Sequence, residues 1–143
     1  MNWNEEAEAI MNQRFGGDSL IALATAANNI PWVRGVNATY QDGCFYIITH
    51  NLSQKMDQIR ENPVVAISGD WFTCHGIAEN LGWFRREENR GIAAKLWQAF
   101  SSWIENGHNN FDDENTIILR VRVTDALLMS HGRTFHRTAD QEP

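Results

Sequence analysis

The sequence is poor in the residues that hold metals or form disulfides. It contains two cysteines among its 143 residues, Cys44 and Cys74, and they show neither Cys-x-x-Cys nor Cys/His ligand spacing. Both lie in stretches with strand patterns, which favours buried free thiols over a zinc site or a structural disulfide. The five histidines are equally scattered, so we expect no metal centre.

Positive charge is also scarce. The chain has 12 lysines and arginines against 18 aspartates and glutamates, a formal net charge of −6, and no basic run stands out. This balance argues against nucleic acid as a partner, because nucleic-acid binding depends on clustered cations. A small phosphorylated molecule is still compatible with it, since such a molecule needs only a few local cations.

Long apolar stretches are missing as well. No run approaches the roughly 20 residues that cross a bilayer. The first residues, MNWNEEAEAI, lack the basic and apolar regions of a signal peptide. We therefore expect a cytoplasmic protein without membrane contact.

Several catalytic motifs are absent. The sequence shows no nucleophile elbow, no phosphate-binding P-loop, no Gly-x-Gly-x-x-Gly fingerprint and no paired carboxylates on a helix face. Hydrolase, kinase and nicotinamide-Rossmann functions thus have no support.

What is present is a series of short strands and three helices. Apolar residues at helical spacing predict helices over Trp3–Phe15 and Arg86–Glu105, and a short helix follows Ser53 and stops at Asn62-Pro63. Alternating or compact apolar runs predict strands over Leu20–Ala27, Trp32–Tyr40, Cys44–Thr49, Val64–Ser68, Trp71–Leu81, Thr116–Thr124 and Ala126–Ser130. Gln41-Asp42-Gly43 supplies a hairpin turn.

These elements predict a single α+β domain over residues 1–143. Its centre is a closed antiparallel barrel of six to seven strands, with the helices packed against it. The tail, residues 133–143, is polar, and we expect it to be loose.

The junction between the third strand and the short helix carries a candidate phosphate site. Thr49, Ser53 and Lys55 cluster where CFYIIT gives way to SQKMDQIREN. Two hydroxyls, an ammonium and the N–H groups of a helix start favour a phosphate there. Most such turns bind nothing, however, and these residues alone also fit a plain turn and helix cap.

The order of several short motifs resembles the pyridoxamine 5′-phosphate oxidase-like FMN-binding split barrels, above all their short general-stress and nitroimidazole-resistance-like members. The motifs are Arg34-Gly35-Val36, Tyr46-Ile47-Ile48-Thr49 with Ser53-Gln54-Lys55, Asn62-Pro63-Val64-Val65-Ala66-Ile67 and Gly76-Ile77-Ala78-Glu79. In element order the similarity spans residues 3–131.

This resemblance implies a homodimer that binds FMN at the subunit interface. Arg34 and Lys55 would contact the FMN phosphate, with help from Thr49 and from Ser53 or Gln54. Backbone groups of three further residues would face the ring or the ribityl chain, namely Val36, Asn37 and Ile48. The implied activity is that of an oxidoreductase, in which flavin carries electrons between a donor and a small-molecule acceptor.

The chain departs from authentic pyridoxamine 5′-phosphate oxidases in two respects. It is short, with only a faint likeness at Arg133, His136 and Arg137 to their basic C-terminal segment, and it lacks clear equivalents of their flavin-contacting glutamines beyond residue 70. No catalytic residue is identified, and haem or another cofactor stays open. A non-catalytic flavin-binding protein and a flavin-free dimeric domain are therefore alternatives to the enzyme. Arg34 and Lys55 also fit ordinary solvated cations.

Overall fold

The computed structural model describes residues 1–139. Its first helix, α1, spans Glu5–Phe15. Asn4 caps it, with the side-chain oxygen accepting the Ala7 backbone N–H at 3.0 Å. Three glutamates lie in the first turn, where the helix dipole favours negative charge. The helix therefore begins two residues later than the sequence pattern predicted, because the cap, which the apolar spacing does not mark, fixes its start.

Seven strands form one antiparallel sheet that closes on itself. They are β1 (Ser19–Ala27), β2 (Ile30–Gln41), β3 (Cys44–His50), β4 (Val64–Gly69), β5 (Phe72–Trp83), β6 (Thr116–Ser130) and β7 (Arg133–Arg137). The order is β3-β2-β1-β4-β5-β6-β7, and a further pairing of β3 with β6 closes six strands into a barrel. This confirms the predicted α+β class and closed antiparallel barrel.

The C-terminal part differs from the prediction in two ways. β6 is one continuous strand, because a β-bulge opposite His75 takes up Thr124 and Asp125, where the pattern had indicated a break. Residues 133–137, expected to be loose, form β7, whose Phe135 is fully buried in the barrel core. Residues 140–143 of the predicted tail lie outside the described residues.

The long helix predicted over Arg86–Glu105 is also divided. A 3-10 turn at Glu87–Asn89 leads into α3, Arg90–Ala99, and the following residues form turns. The Ile104 N–H still bonds the Phe100 carbonyl at 2.8 Å, so the apolar spacing continues past the end of the helix. Side chains from this segment pack with α3 against the outer face of β3 and β6.

The barrel interior holds the main core, in which Phe15, Tyr40, Phe45 and Phe72 pack ring against ring. The remaining helix, α2 (Gln54–Glu61), packs against β1. Within residues 1–139, no helix is long and apolar enough to span a membrane.

Candidate functional site

The junction of β3 and α2 places three of the predicted phosphate residues together. Lys55 Nζ donates to Thr49 Oγ1 at 2.7 Å, and Thr49 is buried. Ser53 stands at the N-cap of α2, as expected, but its side chain makes no capping hydrogen bond. Its Oγ is buried and finds no hydrogen-bond partner in the described part of the chain. A buried hydroxyl without a partner is costly, so this atom marks a place for a further group.

Arg34 reaches the same region from β2. Its Nη1 donates to the Leu23 carbonyl at 3.2 Å and to Thr25 Oγ1 at 2.9 Å, and its Nη2 donates to Gln58 Oε1 at 3.0 Å. The Thr25 hydroxyl also donates to Gln58 Oε1. The guanidinium is thus fixed by contacts from β1 and α2.

The sequence analysis missed Thr25 and Gln58. Both are buried, with exposed fractions of 2% and 8%. The only signal in the sequence is that each polar residue occupies a core-facing position. Thr25 continues the inward alternation of Ile21 and Leu23, and Gln58 lies next to Ile59 on the packed side of α2.

Arg34 and Lys55 both carry positive charge, and no carboxylate of residues 1–139 pairs with either of them. Burial lowers the pKa of Arg34. Burial, and then the charge of Arg34, lowers the pKa of Lys55. Among residues 1–139, neither side chain lies within salt-bridge distance of a carboxylate. A partly desolvated pair of like charges is unfavourable by itself and is stabilised by an anion.

The other predicted residues lie beside this cluster rather than in it. Gln54 is exposed at the first position of α2. An open groove of about 390 Å³ is lined by Val36, Asn37, Ile48, Trp103, Asn106, His108 and Asn109. Both Asn37 Nδ2 and Trp103 Nε1 donate to the Asp18 carboxylate, at 2.9 and 2.8 Å. The structure therefore groups the predicted residues into a cation cluster and a groove on β2 and β3, whose Val36 and Ile48 stand within two positions of Arg34 and Thr49 along the strands.

The comparisons with known proteins agree with this architecture. The family model described as pyridoxamine 5′-phosphate oxidase matches residues 5–130. No curated protein sequence matches the chain.

Three solved structures share the fold at low sequence identity. A NimC/NimA family protein from Clostridium acetobutylicum is 21% identical, with 94% of each chain covered and a TM-score of 0.66. General Stress Protein 26 from Bacillus anthracis is 19% identical, covering 83% of this chain and 90% of its own, with a TM-score of 0.65. A FAD-binding protein from Mesorhizobium loti is 15% identical, covering 82% and 90%, with a TM-score of 0.66.

Proposed function

Because the chain belongs to the pyridoxamine 5′-phosphate oxidase family, we propose that it binds FMN and acts as a flavin-dependent oxidoreductase. The observation that carries this proposal is the pair Arg34 and Lys55, two partly buried cations without a carboxylate partner in residues 1–139, beside the unpaired hydroxyl of Ser53. A terminal phosphate supplies the charge and the hydrogen-bond acceptors that these groups lack. The relative from Mesorhizobium loti, which binds FAD, supports a flavin as the ligand.

The donor count at Arg34 fits a phosphate. A guanidinium has five N–H donors, and three hydrogen bonds of Arg34 go to Leu23, Thr25 and Gln58. Within residues 1–139, two donors are left for an anion, enough for the bidentate contact that arginine makes with phosphate. Lys55, already held by Thr49, contributes a second positive charge. Ser53 or Gln54, at the start of α2, completes the set.

The adjacent groove is where the rest of the flavin would lie. In this proposal, backbone groups of Val36, Asn37 and Ile48 face the isoalloxazine ring or the ribityl chain. When bound, the flavin supplies the electron chemistry. The protein holds its phosphate, orients its ring and limits the access of water.

We further propose a homodimer with the flavin sites at the subunit interface. We place the interface with the second copy on the outer face of β1, β2 and β4, because this face is apolar and exposed. Leu20 is 74% exposed and Val33 is 68% exposed, and in the strand register Ala24 pairs with Val33 while Ala22 and Gly35 pair between them and Leu20. An exposed apolar surface of this kind on a folded domain is typical of an interface. Light scattering that returned the mass of a single 16.4 kDa chain would remove this part of the proposal.

The oxidoreductase activity is tested by anaerobic reduction. We expect the protein loaded with FMN to lose its visible flavin absorbance when NADH or NADPH is added, and to regain it in air. Free FMN at the same concentration is the control. Bound flavin that neither nicotinamide nor a panel of small reductants bleaches faster than free FMN would leave a flavin-binding protein without this activity.

A further inference from the structure

A second cavity lies where two hairpin turns meet the end of α1. The turns are Asp70–Trp71, between β4 and β5, and His131–Gly132, between β6 and β7. The cavity has a volume of about 410 Å³, and its lining includes Arg14, Trp71, Met129 and Arg133. This volume is in the range of small-molecule sites. None of the residues of the candidate flavin site lines it.

Trp71 is held in a conformation that a tryptophan rarely adopts. Its φ of 50° lies in the left-handed region, where bulky residues are strained. This strained backbone does not place the tryptophan in the core, because the residue is 66% exposed. Glycine or asparagine would form this turn more easily. What tryptophan adds is a large aromatic face at the wall of the cavity, available for stacking.

Arg14 contributes a positive charge to the cavity. Its Nη1 donates to the carbonyls of Asp70 at 2.8 Å and Met129 at 3.2 Å, which ties the first turn to the end of β6. Its Nε and Nη2 make no hydrogen bond, and it has no carboxylate partner, in the part of the chain that the structure describes. Arg133, by contrast, pairs with Glu6. Among residues 1–139, the cavity thus presents one guanidinium without a carboxylate partner and with free donors.

We propose that this cavity is a second binding site, for a small planar aromatic carboxylate. The ring of the ligand stacks on Trp71, and its carboxylate accepts hydrogen bonds from Arg14. A single uncompensated cation matches the single charge of a carboxylate better than the double charge of a phosphate monoester. The Met129 side chain offers an apolar, polarisable contact to the ring.

The probe is naphthalene-2-carboxylate, titrated calorimetrically into the full chain in the presence of excess FMN. Naphthalene-2-carboxamide, which has the same shape without the charge, is the matched control ligand. We expect the carboxylate to bind with a Kd of about 1 mM or tighter, and the amide to bind at least about tenfold more weakly. Absence of carboxylate binding, or equal binding of both probes, would overturn the proposal.

Substitution of Trp71 tests whether the probe binds in this cavity or at another site on the protein. Trp71→Gly removes the ring and relieves the left-handed backbone, so we expect an unchanged or higher Tm with carboxylate affinity lowered at least about tenfold. Arg14→Gln should lower the affinity for the carboxylate but not for the amide. Arg85→Gln, at an exposed arginine outside the cavity lining, should change neither. Undiminished binding to Trp71→Gly would show that the probe sits elsewhere and contradict the proposal.

Discussion

Arg34 and Lys55 show what single residues contribute to the proposed site. Each is held by polar neighbours that carry no charge: Thr25 and Gln58 fix Arg34, and Thr49 fixes Lys55. Neutral hydrogen-bond partners orient a cation without cancelling its charge, so its attraction for an anion is preserved. The site is in this sense organised before the ligand arrives, which reduces the ordering cost of binding.

The pH dependence of FMN affinity follows from Lys55. Burial and the charge of Arg34 lower the pKa of Lys55, so its ammonium is lost at a lower pH than that of an exposed lysine. Affinity should be full below this pKa and fall as the pH rises through it. Quenching of FMN fluorescence, followed from about pH 7 upward, measures the fall, and loss of the ammonium should lower the affinity by about tenfold.

Lys55→Arg is the matched control for this experiment. An arginine stays charged throughout the range, whereas the flavin itself ionises identically in both titrations. The variant should therefore lose less affinity toward high pH than the unaltered protein. Superimposable pH profiles for the two proteins would mean that Lys55 does not carry the charge that binds the phosphate.

The sequence analysis named four residues of the candidate phosphate site and missed two others, Thr25 and Gln58, for a physical reason. Thr49, Ser53 and Lys55 are close along the chain, so a strand-to-helix junction brings them together without further information. Arg34 was added through the resemblance of its motif to a known family. Thr25 and Gln58 interact across 33 positions of sequence, and their pairing depends on the packing of α2 against β1, which no local pattern specifies.

At the scale of elements, the apolar patterns predicted the presence of a strand or helix better than they predicted its boundaries. The alternation over Thr116–Thr124 is real, but β6 continues to Ser130 because a bulge absorbs the polar pair in its middle. The apolar spacing of Arg86–Glu105 is also real, but it continues through turns after α3 ends at Ala99. β7 was missed because its five residues, RTFHR, have one buried aromatic among polar side chains. β7 is a strand because it pairs with β6, and its own composition does not favour one.

Gly76 tests the contact between β5 and β6 beside that bulge. A Cβ at this position would lie 2.5 Å from Val121 Cγ1 and 2.9 Å from the Arg122 carbonyl oxygen. Gly76→Ala should therefore push the strands apart and lower the free energy of unfolding by about 1–3 kcal/mol, as measured by chemical denaturation.

Gly91 provides the matched control. It lies in the first turn of α3, and a Cβ there would meet no atom of the described residues within 4 Å. The same change, Gly91→Ala, should raise the free energy of unfolding by about 0.5–1 kcal/mol, since alanine favours the helix. A Gly76→Ala protein as stable as the Gly91→Ala protein would show that β5 and β6 are not in the close contact described.

At the scale of the whole molecule, barrel closure places the site. The pairing of β3 with β6 bends the sheet round, so that β1, β2, β3 and α2 all deliver side chains to one region. The closed antiparallel class was predictable from the hairpin turns and the number of short strands. The convergence of Arg34 with Lys55 was expected through the family resemblance and not from a local pattern, because it depends on where the closed sheet and α2 meet.

The central claim is that Arg34 and Lys55 bind the phosphate of FMN, and a titration of FMN into the unaltered protein and the Arg34→Ala/Lys55→Ala variant tests it most directly. The control is Arg85→Ala/Lys95→Ala, which removes the same charge from two exposed positions. We expect the site variant to remain folded and to bind FMN at least tenfold more weakly, since each charge-assisted contact contributes about 1.5–3 kcal/mol. The control should bind as the unaltered protein does. Equal FMN affinity in all three proteins would contradict the account.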